Sequence, residues 1–152
     1  MAPRSPRCVR SPTLMTIPEN ECCIRLPEAT NDPVEFLHTE RKRRRLPELQ
    51  RNAELDCWAR LQASQMASAT NVFHSVETIE ELQEKLGSVA VGENVQRGDS
   101  VFSMLCESME SGCTVNRSNM LSEHFTQFGS AIAMGGDGKL YFCQVFMGVA
   151  AA

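Results

Sequence analysis

The chain has 152 residues, a formal net charge of −4 and 42% apolar residues, which is the size and composition of one globular domain. No apolar run approaches the roughly 20 residues that span a bilayer. The acidic balance excludes a chain-wide nucleic-acid surface, which would need a basic domain. The seven cysteines include no pair at CxxC spacing, so a zinc knuckle is not expected either.

Proline and glycine divide the chain into two parts. All seven prolines lie between Pro3 and Pro47, and all nine glycines lie between Gly87 and Gly148. We therefore expect a disordered, proline-containing leader over residues 1–30 and a folded domain over residues 31–149. The N-terminal stretch lacks the continuous apolar run of a secretory signal, because prolines interrupt it.

Helix signals come first along the folded part. Asp32 before Pro33 marks a helix start, since Asp caps the first turn and proline fits its first position. Apolar residues at helical spacing predict helices over residues 33–45, 47–69, 78–86 and 101–109, the last of them capped by Asp99 or Ser100. Residues 116–121 are expected to form about one further turn.

Strand signals dominate the rest of the chain. Residues 89–91 predict a short strand that leads into a turn at residues 92–95. Residues 128–134 and 140–147 alternate around the turn Gly135-Gly136-Asp137-Gly138 and predict a hairpin. Because both hairpin strands carry apolar side chains on both faces, helices should cover the sheet on both sides. The expected fold is α+β, a three-layer α-β-α sandwich with a small antiparallel sheet.

Several short motifs follow one another in a characteristic order. They are Phe73-His74-Ser75, Gly92-Glu93-Asn94-Val95, Asn116-Arg117-Ser118-Asn119-Met120-Leu121 and the closing hairpin. This order resembles the CAP superfamily, the SCP-like domain of cysteine-rich secretory proteins, antigen 5 and pathogenesis-related proteins. The third motif is similar to the His-Arg-x-Asn-x-Leu run of microbial members, so the chain resembles a divergent microbial member over residues 34–148.

The resemblance implies a central cavity that many members line with two histidines and two glutamates, and that can hold a divalent cation. His74 matches the first histidine and Glu93 matches the glutamate of the Gly-Glu-Asn motif. Asn116 stands at the second histidine position, and either Glu107 or Glu110 stands at the second glutamate. A neutral amide is a poor substitute for imidazole, so we expect no cofactor beyond a weakly held divalent cation at His74 and Glu93.

The resemblance also implies a function, with two alternatives. It implies a non-enzymatic protein that binds a small apolar ligand, such as a sterol or lipid, or a protein partner, through the cavity or a groove. The first alternative is a divalent-metal-dependent hydrolase with Glu93 as the base. The family is mostly secreted, whereas this chain shows no secretory signal, so the sequence leaves the compartment open.

The second alternative rests on a basic cluster near the end of the first predicted helix. It consists of Arg41, Lys42, Arg43, Arg44 and Arg45. An intracellular regulatory protein could use such a cluster to reach the nucleus or an anionic partner. A helix turns about 100° per residue, so two of the five side chains should face the protein and pair with acids.

Overall fold

The structure is a computed structural model that describes residues 32–85, 87–110 and 114–149. The predicted leader over residues 1–30 lies outside these ranges, and every candidate site residue named above lies within them. Among the helices of the described ranges, none is both long and apolar enough to cross a membrane.

A mixed sheet forms the middle layer. Its strands are β1 (Gln50–Arg51), β2 (Ser88–Gly98), β3 (Gln127–Met134) and β4 (Leu140–Val149), in the order β1-β3-β4-β2. β4 pairs antiparallel with β2 and β3, whereas β1 runs parallel to β3. The predicted antiparallel sheet therefore gains one short parallel strand. A strand of two residues carries no alternation of its own, which is why the sequence did not reveal β1.

Helices cover both sides of this sheet, which confirms the predicted three-layer architecture. They are α1 (Pro33–Arg43), α2 (Ala53–Ala69), α3 (Val76–Lys85), α4 (Val101–Met109) and α5 (Thr114–Leu121). α2 and α3 pack on one side, here called the α2 face, and α1, α4 and α5 pack on the other, the α5 face. Each face has its own core: Leu55, Met66, Leu82 and Tyr141 on the α2 face, and Phe36, Leu105, Phe125 and Phe146 on the α5 face.

The helix boundaries differ from the predicted ones in α1, α2, α3 and α5, the last of which begins at Thr114 rather than at residue 116. α1 ends at Arg43 rather than Arg45, because Arg45 adopts a left-handed φ of 56° that a helix cannot contain. α2 begins at Ala53, not Pro47, because Asn52 is the N-cap and its side chain accepts from the Glu54 and Leu55 amides at 2.8 and 3.3 Å. α3 begins at Val76, two residues before the predicted capping position.

The predicted turn at residues 92–95 was wrong, because β2 continues straight through it. Gly92 pairs with Phe146 and Asn94 pairs with Gln144 across the ladder to β4. A Cβ at Gly92 would lie 2.8 Å from the Phe125 ring and 2.8 Å from the Asn119 side-chain oxygen. Glycine is needed here for the close approach of the α5 face, not for a reversal of the chain.

The predicted hairpin is confirmed. Gly138, with φ of 76°, supplies the left-handed position of the turn, and the Gly135 amide donates to the Lys139 carbonyl at 2.9 Å. The Tyr141 hydroxyl donates to Asp137 at 2.6 Å and so ties the turn to the buried start of β4. This hydrogen bond lowers the pKa of Asp137, while burial, followed by the Asp137 bond, raises the pKa of Tyr141.

Candidate functional site

Two adjacent residues of β2 point to opposite sides of the sheet. Side chains alternate along a strand, so Glu93 enters the α2 face and Asn94 enters the α5 face. Both are fully buried, with 0% of their surface exposed. A buried polar side chain is stable only where hydrogen bonds replace its lost water, so each of the two must be satisfied by its own layer.

Glu93 is satisfied by the loop that leads from α2 to α3. Its Oε1 accepts from the Ser75 amide at 2.9 Å and lies 3.1 Å from His74 Nδ1. Its Oε2 accepts from the Ser75 hydroxyl at 2.5 Å. His74 and Glu93 are therefore brought together, as the resemblance implied, but the carboxylate acts as an acceptor for a loop that lies over it.

The same loop is held at a second point, on α2. The Gln62 side chain, itself 2% exposed, donates to the Phe73 carbonyl at 2.6 Å. His74 keeps a third of its side chain exposed at the outer end of this arrangement. The ring therefore turns Nδ1 toward Glu93 and leaves part of its surface open to solvent.

Cys143 completes the surroundings of Glu93 from the neighbouring strand. Its sulfur lies 4.0 Å from Glu93 Oε2, and the residue is fully buried. Burial, and after it the negative charge of Glu93, raises the pKa of the Cys143 thiol well above its ordinary value. The thiol is therefore held in its protonated form and is a poor nucleophile.

Asn94 is satisfied by amides on the α5 face. Its Nδ2 donates to the Asn116 carbonyl at 3.0 Å and to Gln144 Oε1 at 3.1 Å, and its Oδ1 accepts from Asn119 Nδ2 at 2.9 Å. Asn116, which the resemblance assigns to the second histidine position, contributes its backbone carbonyl to a bond that ties α5 to β2. These contacts explain the Asn-containing motifs as structural ties between helix and sheet.

The two candidates for the second glutamate, Glu107 and Glu110, lie on and just after α4. Both are exposed, and the Glu110 amide donates to the Glu107 carbonyl at the helix end. α4 belongs to the α5 face, whereas Glu93 enters the α2 face.

The basic cluster is divided between the core and the surface. Arg41 is fully buried and donates to the carbonyls of Pro47, Met120 and Ser122 at 2.9 to 3.0 Å. Arg44 bonds Glu40 at 2.6 Å, with 8% of its side chain exposed. Arg41 and Arg44 therefore face the protein, although Arg41 bonds carbonyls rather than an acid. Lys42, Arg43 and Arg45 are exposed, so the patch that solvent meets is smaller than the sequence indicates.

An open groove of about 580 Å³ runs along the outer side of α1. It is lined by Asp32, Val34, Glu35, His38, Thr39, Lys42, Leu46 and Glu48. Its floor is fixed by His38, whose Nε2 lies 3.1 Å from the Leu49 carbonyl and whose ring meets Phe128 edge-on at 5.6 Å. Six of these eight residues are charged or polar, and Val34 and Leu46 are the apolar ones.

Comparison with known families decides what kind of domain this is. The model of the CAP family, described as the cysteine-rich secretory protein family, matches residues 34–146. The chain belongs to the CAP family. No curated protein matches it in sequence.

Solved structures support the CAP fold. The chain is similar to an outer surface protein of Borrelia burgdorferi, at 12% identity and a TM-score of 0.68 over 77% of this chain and 90% of that one. It is also similar to venom allergen-like protein 4 of Schistosoma mansoni, at 15% identity and a TM-score of 0.58 over 82% and 92% of the two chains. An extracellular SCP-domain protein of Bacillus anthracis gives 22% identity and a TM-score of 0.60 over 74% of this chain and 37% of its own length.

The residues of this CAP domain do not fit the cation that the resemblance implies. Both oxygens of Glu93 already accept hydrogen bonds from the 74–75 segment. Within the described ranges, no three His, Cys, Asp or Glu side chains form a group that could hold a metal ion. A protein zinc site takes three or four such ligands.

Sequence reasoning missed the partners that complete both arrangements. Ser75 follows His74 directly, so its position beside Glu93 could have been inferred once that pairing was assumed. Cys143 and Gln144 reach Glu93 and Asn94 through the β2–β4 register, which pairs Asn94 with Gln144. No local signal in the sequence encodes a register between strands so far apart along the chain.

Proposed function

We propose that this CAP domain is a non-enzymatic binding module, and that its ligand is a segment of a protein partner that docks in the α1 groove. The observation that carries the proposal is the set of charged side chains along that open groove, Asp32, Glu35, Lys42 and Glu48. Pockets for small apolar molecules are lined mainly by apolar and aromatic side chains. Here Val34 and Leu46 are the apolar members of a lining that otherwise holds charged and polar groups.

The arrangement at Glu93 supports the non-enzymatic part of the proposal. A general base must come within hydrogen-bond reach of the proton that it removes. Glu93 has no exposed surface, and the Ser75 amide and hydroxyl and the His74 ring surround its two oxygens. A substrate or water would have to displace the loop before it could meet this carboxylate.

The charge of the groove indicates the chemistry of the partner segment. Asp32, Glu35 and Glu48 provide three carboxylates, against one ammonium group from Lys42. A segment that presents basic side chains to the carboxylates and an apolar side chain to Val34 and Leu46 would be complementary. Such contacts lie near the surface, so the interaction should weaken as salt is added.

The test uses a fluorescent peptide of alternating Lys and Leu residues, with its Glu and Leu counterpart for comparison. We expect anisotropy to show preferential binding of the basic peptide, and Glu48→Lys to weaken it by about tenfold. Glu48 is 78% exposed and lies outside the helices, so this charge reversal should leave the fold intact. The control is Glu84→Lys, at an exposed position of α3 outside the groove. It reverses the same charge, and this variant should bind the peptide as the wild type does.

Equal binding of the two peptides, or no effect of Glu48→Lys, would contradict the proposed site. A fluorescent sterol that binds stoichiometrically and is lost in Leu46→Glu would instead favour the small apolar ligand. For the hydrolase alternative the measurement is a zinc titration by calorimetry. A stoichiometric site of micromolar affinity that disappears in His74→Ala would overturn the non-enzymatic assignment.

A further inference from the structure

The outer edge of β3 is covered over only half of its length. β1 pairs with Gln127 and Phe128 and then ends. The next outward amide, that of Ser130, donates to Asp56 Oδ1 of α2 at 3.0 Å. Beyond Ser130, the segment 131–134 has no strand beside it among the described residues. We call this segment, Ala131 to Met134, the open edge.

The backbone groups that face outward at the open edge belong to Ile132 and Met134. Outward groups recur at every second residue. The Phe128 carbonyl accepts from Asn52 beside β1 and the Ser130 amide donates to Asp56, which fixes the outward groups at even positions. Within the described ranges, no strand pairs with the outward side of Ile132 and Met134, and their amides donate to no turn or loop. They are available to another extended strand.

The side chains of the open edge carry none of the usual protection. Natural edge strands are blunted by charged residues, proline or bulges, which prevent pairing with another chain. Residues 131–134 are Ala-Ile-Ala-Met, with Ile132 37% and Met134 72% exposed. The charges that flank this segment are already paired: Arg51 with Asp56 at 2.9 Å at one end, and Lys139 with Asp99 at the other.

We propose that the open edge of β3 pairs with the same edge of a second copy of this chain, antiparallel and about a two-fold axis at Ala133. This register places Ile132 of each copy opposite Met134 of the other. Their outward N–H and C=O groups then form four hydrogen bonds, and two apolar cross-strand pairs cover the exposed side chains. Pairing stops at Ser130, because Asp56 already occupies its amide.

A second copy fits this edge because it offers the same unpaired groups in the same spacing, and a two-fold contact lets each edge satisfy the other. Residues 131–134 carry no charged side chain, so pairing of the two open edges opposes no like charges within the segment. Since the contact involves only four residues from each chain, the interface is small and the dimer should be weak, with a dissociation constant of about 10–500 μM.

Sedimentation of the full chain, in reductant so that the exposed Cys57 cannot cross-link, tests the proposal. We expect the fraction of dimer to rise reversibly as the protein concentration is raised from about 5 μM to 1 mM, a range that spans the expected dissociation constant. Ile132→Lys places a charge on the edge, and Met134→Pro removes one outward amide from each copy. Each should raise the dissociation constant at least about tenfold without unfolding the chain, because both positions are exposed. Circular dichroism verifies folding.

The matched control is Val89→Lys, which charges an exposed apolar position on β2, at the opposite edge of the sheet. It should dimerise as the wild type does. In addition, hydrogen exchange of the Ile132 and Met134 amides should slow as concentration rises. A chain that stays monomeric to 1 mM, a dimer that both edge variants leave unchanged, or a dimer that Val89→Lys weakens equally would each overturn the proposal.

Discussion

On the α2 face a buried carboxylate joins the sheet to its covering layer, whereas on the α5 face a set of neutral amides does so. Glu93 accepts from Ser75 and His74, and its neighbour Asn94 is bonded to Asn116, Asn119 and Gln144. Hydrogen bonds to a charged acceptor are about twice as strong as neutral ones. The Glu93 carboxylate therefore holds the loop of the α2 face together with the Gln62 bond to Phe73, whereas neutral amides make the tie on the α5 face.

Two glycines of the sheet, one facing each side, differ in the kind of atoms that lie against them. A Cβ at Gly129 would lie 2.2 Å from the Leu55 carbonyl carbon of α2 and 2.3 Å from the Asp56 amide nitrogen. At Gly92, on the α5 face, the nearest atoms belong to the side chains of Asn119 and Phe125, at 2.8 Å each. Backbone cannot move aside without moving its helix, whereas side chains can rotate.

The largest expected effect follows from this difference. Gly129→Ala should lower the free energy of unfolding by about 3 kcal/mol or more, because α2 must shift as a whole, and Gly92→Ala should lower it by about 1–2 kcal/mol. Urea unfolding of the two variants beside the wild type gives both values. Equal losses would show that the Asn119 and Phe125 side chains are held as rigidly as the backbone of α2.

The next effect concerns the carboxylate itself. Glu93→Ala leaves the Ser75 amide and hydroxyl without their acceptor in a buried site, so we expect a loss of about 2–3 kcal/mol in unfolding free energy. Hydrogen exchange should accelerate in residues 71–75. Glu84→Ala, an exposed glutamate on α3, should change stability by less than about 0.5 kcal/mol. If exchange in the loop stays at the wild-type rate, Glu93 does not hold it.

The prediction for Asn94 is smaller and falls on the other face. Asn94→Ala removes neutral hydrogen bonds to α5, and we expect a loss of about 1–2 kcal/mol. Exchange should accelerate in residues 114–121 and remain unchanged in residues 71–75, the reverse of the pattern for Glu93→Ala. A variant that loosens both segments would show that the two faces open together.

The sequence predicted those parts of the fold whose signals are local. The hairpin turn and the cap of α4 by Ser100 lie where residue types alone indicate them. The middle of β2, residues 92–95, was mistaken for a turn because Gly92 and Asn94 are common turn residues. Their actual reasons are tertiary: glycine admits Phe125, and asparagine bonds α5. Such requirements come from residues elsewhere in the fold, so they produce no alternating pattern within the strand that a sequence could reveal.

The candidate site shows the same limit. The proximity of His74 and Glu93 came from the resemblance, since nothing between the two residues indicates it locally. Whether that pair is open to a ligand depends on Ser75, whose hydroxyl and amide both reach the carboxylate. The identity of the residues is therefore not enough to predict a cation site. Their hydrogen bonds in the folded chain decide it.

The smallest effect is a dependence on alkaline pH that belongs to the α2 face. Burial and Glu93 raise the pKa of Cys143 above its ordinary value of 9.0 in the folded chain, whereas the unfolded chain titrates normally. Above about pH 9 the unfolded state loses this proton and the folded state keeps it, so stability falls as pH rises. By pH 10 the loss from this thiol should reach about 1 kcal/mol.

The free energy of unfolding is measured at a series of pH values between about 8 and 10. The slope of this free energy against pH, rather than its absolute value, is then compared between the wild type and the variants. Cys143→Ala should flatten the slope, whereas Cys57→Ala, at an exposed cysteine, should retain it.

Two other groups also titrate in this range. The raised pKa of Tyr141 lowers stability as pH rises, as Cys143 does, whereas the pKa of Arg41, lowered by burial to about 10, has the opposite effect. Both groups are present in every variant, so they cancel in the comparison. An unchanged slope in Cys143→Ala would mean that the thiol gains access to water before the chain unfolds, and that the α2 face is less closed around Glu93 than its contacts indicate.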